Sequence, residues 1–600
     1  MVVNLKRLWQ LLTPKERRKF FLVLGMVMMM AALEAVGVVS IMPFLAVLGN
    51  PDIVTEQPLL LRVYEALGFE RPQQFILALG LVSVAIVGAS SLFKSVTLHV
   101  LNRFANLERH SISSRLLATY LRQPYSFFLS RNSADLSRSL LSEVDQLISN
   151  ILQPAIQMFA HGVVLLAMVL LLLVYDAALA LTVAVIVAVL YAVIYASVRG
   201  ILGRIGPDRV KANAERFHTA AEVFGAIKEV KVSGSTEAFL QRFNGPSRRM
   251  SRHLATNDTL SQVPLYLVEA TGYAGLIAIA VFLAMRGDNL GQVLPVLGLY
   301  GFAAYRMLPA AQIIYRSFAR MRFGASALEH IHRDLMLQVP EPRRTGEPEP
   351  LPLPLQDRLD LHSVSYAYPG QSEFPALRNI SVTLRANTTV GIVGATGSGK
   401  STLVDLLLGL MPPATGTVRI DGEPLTGTNL RAWQRSIGYV PQQIYIADTS
   451  VAENIAFGVR PEAIDHEAVQ RAARAAQIHE FVTTELPAGY GTQVGERGVR
   501  LSGGQRQRIG IARALYHDPT VLILDEATSA LDNVTERAVM AAIRSVSGQK
   551  TILMIAHRLS TVQTCDKILL LDHGILTAEG TYEELTEHSP QFRTMAASAH

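Results

Sequence analysis

Long apolar stretches fill the first half of the chain, whereas the second half alternates short apolar runs with polar segments. A helix that crosses a bilayer needs about 20 mostly apolar residues, because the hydrocarbon core is about 30 Å thick. Stretches of this kind predict six transmembrane helices, near residues 21–48, 75–98, 153–174, 177–199, 264–286 and 291–316. The first half is therefore predicted to be a membrane domain.

The polar segments between these stretches predict the orientation. Residues 100–150 and 200–262 are too long for turns, keep a helical pattern and are rich in Lys and Arg, as is the N-terminal flank. The loop at 49–74 carries acidic side chains in excess over basic ones. Because basic residues concentrate on the cytoplasmic side, we expect both termini and both long polar segments to be cytoplasmic.

The second half reads as a soluble α/β domain, separated from the first by a proline-rich stretch. Prolines at 348, 350, 352 and 354 alternate with other residues, and such runs favour an extended, semi-rigid spacer. We therefore predict a transmembrane domain at 1–335, a linker at 336–357 and an α/β domain at 358–600.

Composition narrows the class of protein. Half of the 600 residues are hydrophobic and only 17% are charged, which is too apolar for an ordinary soluble protein. The net charge of +6 comes with no basic face or nucleic-acid motif, so no nucleic-acid partner is expected. Cys565 is the only cysteine, which excludes an intrachain disulfide and suggests no Cys-based metal site.

A glycine-rich loop in the second half predicts a nucleotide site. Residues 394–401 read GATGSGKS, after an apolar strand pattern at 389–393 and before a helical pattern at 403–410. In such a P-loop, backbone N–H groups hold phosphates, the lysine reaches the β- and γ-phosphates, and the serine can bind Mg²⁺. The predicted nucleotide-binding residues here are Gly394, Ala395, Thr396, Gly397, Ser398, Gly399, Lys400, Ser401 and Thr402.

Two acidic residues end an apolar run downstream of the loop. The run at 521–524 predicts a buried strand, which would deliver the carboxylate of Asp525 to Mg²⁺. Glu526 would then orient and polarise the attacking water, because phosphoryl transfer depends mostly on positioning and charge neutralisation. The alternative is that Glu526 is a structural acid at the strand end.

Leu501–Gln505 reads LSGGQ, the signature of ATP-binding-cassette (ABC) ATPases. Together with the P-loop and the six predicted spans, it makes the chain similar over most of its length to ABC exporters. The resemblance implies a six-helix transmembrane domain of the type I exporter (type IV ABC) fold, fused to a cytoplasmic α/β ATP-binding cassette. It also implies an ATPase whose hydrolysis is coupled to transport, with ATP and Mg²⁺ as cofactors.

The same resemblance implies roles for further residues. Tyr368 matches the aromatic residue that stacks on adenine, and Gln442 matches the glutamine that senses Mg²⁺. His557 matches the histidine that contacts the γ-phosphate and, with Glu526, is assigned to catalysis. The implied metal ligands are Ser401, Gln442 and Asp525. Other family positions are Glu496, the D-loop at 529–532, and the signature residues Ser502, Gly503, Gly504 and Gln505.

In ABC ATPases, the P-loop of one subunit and the signature of the other enclose one nucleotide. A chain with one copy of each must pair, and a homodimer with two hydrolytic sites is the simplest arrangement. The resemblance also implies short coupling helices, within 123–135 and 217–233, that dock on an ATPase domain. Solvent-exposed helix ends are the alternative for these two segments.

Two features favour an amphipathic cargo. Leu60, Val63, Tyr64 and Leu67 fall on one face of a predicted external helix. This region resembles the bacterial flippases that translocate lipid-linked oligosaccharides, which implies such a lipid or a similar one as cargo. A loop that merely folds back on the bilayer is the alternative. Other classes left open are a peptide or drug exporter and a nucleotide-gated channel.

Ionisable side chains within the spans are the second feature, because they are costly in a bilayer and usually face a cavity or each other. They are Glu34, Lys94, Glu269 and Arg306. One hypothesis is that Lys94 and Arg306 bind an anionic pyrophosphate headgroup. The alternative is internal pairing, for instance of Glu34 with Arg306. The expected location is the inner (plasma) membrane of a bacterium.

Overall fold

The computed structural model describes residues 2–49, 51–69, 71–175, 177–285, 290–339, 349–370, 373–495, 498–526, 533–556 and 558–597. The chain divides into two compact units. One comprises Met1–Gln123 and Phe128–Pro342, and the other comprises Pro124–Phe127 and Arg343–His600.

The first unit is helical throughout its described residues. The helices from 2 to 335 are α1 (Val2–Leu11), α2 (Pro14–Gly49), α3 (Ile53–Glu56), α4 (Pro58–Ala66), α5 (Pro72–Leu121), α6 (Tyr125–Leu129), α7 (Ser133–Arg138), α8 (Val144–Leu147), α9 (Gln153–Tyr175), α10 (Ala177–Gly225), α11 (Ile227–Val232), α12 (Thr236–Met285), α13 (Leu290–Phe323) and α14 (Ala325–Leu335). All belong to the first unit except α6, whose residues 125–127 belong to the second. Single π-helical turns at Ser139–Glu143 and Ile148–Leu152 join α7, α8 and α9 into one long rod.

Long helices cover all six predicted spans, and several run far beyond them. By length and composition, four helical stretches of the described residues could cross a membrane: Pro14–Gly49, Pro72–Leu121, Ser133–Val174 and Ala188–Gly225. The polar segments around 100–150 and 200–262 remain helical, so α5, α10 and α12 continue well past their apolar parts. The fold is that of a helical transmembrane domain, whereas the number of crossings stays a prediction.

Short helices also lie inside both predicted coupling segments. α6 falls within 123–135 and α11 within 217–233, each ending a long excursion of the chain. Their docking role stays a prediction.

The predicted external helix is present as α4, but its apolar face is divided. Leu60 is 7% exposed and packs with Val47, Val54 and Phe75 in a small core at the ends of α2 and α5. Tyr64 packs against the same cluster, edge-on to Phe75 with ring centroids 5.3 Å apart. Val63 and Leu67, on the other part of this face, are exposed. Half of the face thus stabilises the protein itself.

The second unit is an α/β domain with two sheets. Its strands are β1 (Arg358–Tyr366), β2 (Leu377–Arg385), β3 (Thr389–Val393), β4 (Thr415–Ile420), β5 (Glu423–Pro424), β6 (Ile437–Val440), β7 (Val521–Asp525), β8 (Thr551–Ile555), β9 (Lys567–Asp572) and β10 (Ile575–Gly580). Its helices are α15 (Lys400–Leu407), α16 (Leu430–Gln434), α17 (Val451–Ile455), α18 (His466–Ala475), α19 (His479–Thr484), α20 (Gly503–Leu515), α21 (Asn533–Val546), α22 (Leu559–Val562), α23 (Tyr582–His588) and α24 (Pro590–Ala597).

One sheet is antiparallel, in the order β2-β1-β4-β5, and the other has the order β10-β9-β3-β8-β7-β6. In the second sheet β9, β3, β8, β7 and β6 are parallel neighbours. Strands β3 and β8 are buried along their whole length, which explains their unbroken apolar sequences. The carboxyl ends of β3, β8, β7 and β6 meet at one edge, where α/β sheets bind ligands.

Residues 349–355 of the predicted linker have no regular secondary structure. They are held on the α/β domain: Arg435 donates to the Pro350 carbonyl at 2.8 Å, and the Leu353 N–H donates to the Ala432 carbonyl at 3.0 Å. The carboxylate of Asp421 accepts the next backbone N–H groups, those of residues 356–358, at 2.8–2.9 Å. Residues 349–357 therefore lie along the domain surface. The three predicted domain boundaries stay a prediction.

Candidate functional site

The P-loop connects the end of β3 to the start of α15. Gly394, Gly397 and Gly399 have φ angles of 155°, 82° and 99°, a range that side chains with a Cβ rarely adopt. A Cβ at Gly394 would also overlap the backbone carbonyl of Leu571. The backbone conformation and the close neighbours therefore favour glycine at 394 and 399. The loop leaves Ala395, Thr396 and Gly397 exposed at the edge of the sheet.

Lys400 folds back over this loop. Its Nζ donates to the carbonyls of Gly394 and Ala395, both at 2.9 Å, and the residue is 7% exposed. Burial lowers the pKa of Lys400, while the nearby charges of Glu526 and Asp525 act in the opposite direction. Ser398 is also buried, and within the described part of the chain its Oγ has no hydrogen-bond partner. The loop thus concentrates donors where phosphates would lie.

Asp525 ends β7 and Glu526 follows it, and β8 lies between β7 and the P-loop strand β3. The sheet register aligns Asp525 with Ile555, and the Glu526 N–H donates to the carbonyl of that residue at 3.3 Å. Glu526 holds a φ of 47°, in the left-handed region, so its side chain leaves the strand direction. Gln442, which follows β6, donates its Nε2 to Oε2 of Glu526 at 2.6 Å.

Two further side chains surround this acidic group, and the motif-based prediction did not include them. Burial raises the pKa of Asp405, on α15, to about 6, and the charge of Asp525 adds to this effect. Burial likewise raises the pKa of Tyr439, on β6, as do the neighbouring carboxylates of Asp525 and Asp405. The strand-and-loop pattern could have found Tyr439, because it precedes the Gln442 loop on a strand adjacent to β7.

The site is suited to Mg²⁺ by the chemistry of its oxygen donors. Ser401, Gln442 and Asp525 offer a hydroxyl, an amide carbonyl and a carboxylate, the hard ligands that Mg²⁺ takes together with substrate phosphates. Among the described residues, no group of three or more His, Cys, Asp or Glu side chains could hold a metal by itself. A magnesium ion here would take the phosphates of the nucleotide as further ligands.

Tyr368 lies just after β1 and contacts the helix of the P-loop. Its Oη is 3.0 Å from Oγ1 of Thr402, and its ring packs edge-on against Tyr366 at 5.3 Å between centroids. The structure therefore brings together Tyr368, the P-loop, Gln442, Asp525 and Glu526. His557, Glu496 and residues 529–532 lie outside the described residues.

The signature residues belong to a different part of the domain. Ser502 caps α20: its Oγ accepts the Gln505 N–H at 3.2 Å, and Oε1 of Gln505 accepts the Ser502 N–H at 2.7 Å. Helix α20 packs in one apolar core, through Ile509 and Ile511, whereas the P-loop helix α15 packs in another. Within the described residues no hydrogen bond joins the signature to the P-loop.

The membrane unit contains a cavity of about 440 Å³ that is lined partly by charged side chains. Glu34 on α2 is 2% exposed, and its Oε1 lies 2.7 Å from Nζ of Lys94 on α5. His161 on α9 and Arg316 on α13 line the same cavity. Sequence analysis missed both, because His161 was not counted among the charges and Arg316 lies at the end of a predicted span.

Of the other two predicted charges in the spans, the structure describes the side chain of Glu269 alone, and it does not line this cavity. Glu269 is half-buried and accepts a hydrogen bond from Tyr273 Oη at 3.4 Å, one helical turn away. The side chain of Arg306 lies outside the described residues. The pairing of Glu34 with Arg306 and the headgroup role of Arg306 therefore both stay predictions.

A second cavity, of about 410 Å³, lies between α9, α10 and α13 and is apolar. Alanines at 184, 188 and 192 line it on α10, together with Tyr191 and Tyr195. The hydroxyls of two lining tyrosines bind groups on the helices: Tyr191 donates to Gln312 Oε1 at 3.3 Å, and Tyr315 to the Leu260 carbonyl at 3.0 Å. The cavity surface is left almost without polar atoms.

A membrane domain of long helices, fused to a P-loop ATPase domain with its site at a sheet edge, defines an ATP-driven membrane transporter. Residues 23–300 match the family model described as ABC transporter transmembrane region, and residues 377–529 match the model described as ABC transporter. The chain belongs to the ABC transporter family. The predicted family, fold and coupling of ATP hydrolysis to transport are confirmed.

Named relatives are similar over most of their length. A protein of Cupriavidus pinatubonensis is 32% identical over 511 residues, which is 84% of each chain. One from Saccharophagus degradans is 33% identical, over 82% of this chain and 80% of the relative. One from Burkholderia orbicola is 30% identical, over 97% of this chain and 94% of the relative. All three are named ATP-dependent lipid A-core flippase.

A solved structure agrees with the fold. A bacterial Atm1-family ABC exporter with ATP bound superposes with a TM-score of 0.75, covering 97% of this chain and 98% of that one. At 22% identity, this likeness supports the fold alone.

Proposed function

We propose that the chain forms a homodimeric flippase for an amphipathic lipid with an anionic saccharide headgroup, of the lipid A-core kind. The names of the relatives support this choice of cargo. The broader expectation of a lipid-linked oligosaccharide or similar amphipathic lipid includes it. The observation that carries the proposal is that a charged cavity and an apolar cavity lie on opposite faces of α13.

The two faces of α13 follow helical spacing. Residues 305, 309, 310, 313 and 316 line the charged cavity, whereas 307, 311, 314, 315 and 318 line the apolar one. Apart from one adjacent pair in each set, 309/310 and 314/315, the members recur at spacings of three or four residues, so each set follows one side of the helix. A molecule with a charged part and an apolar part would find a matching environment on each side.

The charged cavity is the proposed headgroup site. Lys94 and Arg316 supply positive charge, and His161 adds a hydrogen-bonding nitrogen. Nδ1 of His161 lies 3.0 Å from the Gln157 carbonyl, which leaves Nε2 available for other partners. Among the described residues no carboxylate pairs with Arg316, whereas Lys94 is held by Glu34. A phosphate would therefore be bound chiefly by Arg316, with Lys94 shared.

The apolar cavity is the proposed site for acyl chains. Its lining is aliphatic and aromatic, and the Tyr191 and Tyr315 hydroxyls already have partners on the helices. An acyl chain in this cavity would pack against apolar side chains, which is favourable, and its burial would leave no polar group unsatisfied.

In the ATPase domain, we propose that the P-loop holds the phosphates and Tyr368 stacks on adenine. Mg²⁺ would be held by Ser401 and Asp525, with Gln442 nearby, and would neutralise charge that develops on the phosphates. Glu526 would orient the attacking water, and His557 would contact the γ-phosphate. The division at 1–335, 336–357 and 358–600 separates the transport and ATPase functions.

Dimerisation follows from the position of the signature. Because α20 and the P-loop helix pack in separate cores of the same domain, we propose that Ser502–Gln505 completes the nucleotide site of a second copy. The exposed N-terminus of α20 would present its backbone N–H groups to the γ-phosphate there. The dimer would lie in the bacterial inner membrane, with both termini and the ATPase domains in the cytoplasm.

Reconstitution in proteoliposomes tests the proposal. Vesicles would contain fluorescent lipid A-core, a lipid-linked oligosaccharide or a hydrophobic peptide, and ATP-dependent loss of the outer-leaflet label would be measured. We expect flipping and ATPase stimulation with lipid A-core. Stimulation by the peptide alone would favour a peptide or drug exporter, and transport that persists in a Glu526→Gln variant would favour a nucleotide-gated channel.

A further inference from the structure

The hydroxyl contact between Tyr368 and Thr402 joins two segments that meet the nucleotide from different sides. Tyr368 follows β1 of the antiparallel sheet, whereas Thr402 lies in the first turn of α15. Oη and Oγ1 are 3.0 Å apart, and either oxygen can be the donor. Thr402 is 6% exposed, so its side chain points into the protein, whereas neighbouring Ser401 is exposed.

A second contact restrains the same ring. Tyr366, two residues earlier, packs edge-on against Tyr368, with an interplanar angle of 86°. A tyrosine side chain has two main torsions, and a hydrogen bond at its tip together with an edge contact at its ring restricts both. The ring is thus ordered before any base arrives, and less conformational entropy is lost on binding.

We propose that Thr402 is a positioning residue for adenine recognition, whose side chain acts on ATP binding by holding Tyr368. The inference rests on the proposed stacking of Tyr368 on adenine. It separates Thr402 from the neighbouring P-loop residues, which act on phosphates: removing the Thr402 hydroxyl affects the base, not the phosphate chain.

Steady-state ATPase kinetics of the full-length protein in nanodiscs test this role. Thr402→Val, which keeps the shape and removes the hydroxyl, is expected to raise the KM for ATP roughly threefold to tenfold, the loss expected for one neutral hydrogen bond. The kcat should stay unchanged. Tyr368→Phe should give a similar increase, and the double variant no more than either one, because both remove the same bond. Thr402→Ser, which keeps the hydroxyl, should have the KM of the wild type.

Inorganic tripolyphosphate distinguishes the base from the phosphates. Its inhibition constant should be the same in the wild type and in Thr402→Val. Thr389→Val is the matched control, because Thr389 is a buried threonine in the same domain that loses a 3.1 Å hydrogen bond to Ser547. Its KM for ATP should be that of the wild type.

Three results would overturn the role of Thr402: weaker tripolyphosphate inhibition in Thr402→Val, multiplied effects in the double variant, or a KM that Thr402→Ser does not restore. Tyr368→Ala tests the underlying stacking separately and should raise the KM more than Tyr368→Phe. An unchanged KM in Tyr368→Ala would contradict the proposed stacking of Tyr368 on adenine. A raised KM there with none in Thr402→Val would overturn only the positioning role.

Discussion

The side-chain amide of Gln442 donates a 2.6 Å hydrogen bond to the carboxylate of Glu526. The two residues are 84 positions apart in sequence but follow neighbouring parallel strands, β6 and β7. The bond joins the residue assigned to sensing Mg²⁺ to the residue assigned to orienting water. Entry of the metal and the nucleotide would therefore change the partners of both side chains at once.

Glu526→Gln is expected to stop ATP turnover. The amide has the size of the carboxylate but cannot polarise a water molecule by its charge, so hydrolysis should slow by roughly 100-fold or more. ATP binding should be kept, because the P-loop is unchanged. Phosphate release and the binding of a fluorescent ATP analogue, measured on the same preparation, check both expectations.

Glu579→Gln is the matched control for this variant. Glu579 is a half-exposed glutamate of the same domain that pairs with Lys567 at 3.1 Å, away from the P-loop. Its loss should leave phosphate release near the wild-type rate. A Glu526→Gln protein with comparable phosphate release would contradict the assignment of Glu526 to hydrolysis.

The nucleotide site was predictable because its geometry is local. Gly394, Gly399 and Lys400 sit in one short loop, and the apolar sequence of β7 places Asp525 at the sheet edge. The apolar sequence of each strand indicates where the strand ends, and parallel strands place their carboxyl ends at the same edge of the sheet. Sequence patterns of this type need no knowledge of distant contacts.

Contacts between helices that are far apart in the sequence could not be predicted from such patterns. The pair of Glu34 with Lys94 depends on the register of α2 against α5, and hydropathy does not fix that register. Hydropathy also does not give the ends of the long helices: an apolar window ends where α10 leaves the predicted span, although the helix continues to Gly225. The division of the α4 face likewise depends on packing against Phe75.

The linker attachment gives a pH prediction. Burial alone would raise the pKa of Asp421, but the backbone N–H groups of residues 356–358 outweigh it and lower the pKa. A carboxylate with a lowered folded-state pKa stabilises the protein above its unfolded-state value of about 3.9, and this is lost as pH falls through the folded-state value. Asp421→Asn should therefore lower the Tm at pH 7, and the difference from the wild type should shrink as pH falls below about 4 toward the folded-state value.

Thermal unfolding of the purified protein between pH 7 and pH 3.5 measures this difference, monitored in the ATPase domain. Asp518→Asn is the control, because Asp518 is a highly exposed carboxylate whose pair with Lys550 should contribute little. An Asp421→Asn difference in Tm that is the same at both ends of the pH range would contradict the linkage.

Substitutions of the two cations in the charged cavity are expected to affect different quantities, lipid binding for Arg316 and stability for Lys94. Arg316→Gln should raise the lipid A-core concentration that half-stimulates the ATPase, with little change in Tm, because no described carboxylate pairs with Arg316. Lys94→Gln should lower the Tm, since it removes a cation 2.7 Å from the buried Glu34 carboxylate. ATPase titrations with lipid and thermal melts of each variant separate binding from stability.

Arg199→Gln removes an equal charge from an exposed position on α10 and should change neither quantity. If Arg316→Gln lowered the Tm and left the titration unchanged, Arg316 would be structural and the proposed headgroup site would be wrong.

A buried charge cluster holds three helical segments of the membrane unit together. Glu143, in the first π-helical turn, accepts from Arg138 at 3.2 Å and from Arg209 of α10 at 2.9 Å. Asn213 donates to the same carboxylate at 3.2 Å. The side chains of the three charged residues are at most 5% exposed. Arg138 has a second partner in the partly exposed Asp135, at 3.3 Å, whereas Glu143 is the acid that pairs with Arg209.

Glu143→Gln should therefore destabilise the helical unit strongly, by about 3–5 kcal/mol, because it leaves the buried Arg209 without its counter-charge and Arg138 with Asp135 alone. Limited proteolysis and thermal melts in detergent measure the loss. Glu467→Gln, which removes an exposed partner of Arg471, should shift the Tm by far less, since exposed pairs contribute about 0–1 kcal/mol. A combined Arg138→Met, Glu143→Leu, Arg209→Met variant should recover much of the stability, because it removes the buried charges together. Equal losses in Glu143→Gln and Glu467→Gln would mean that the cluster does not hold these segments.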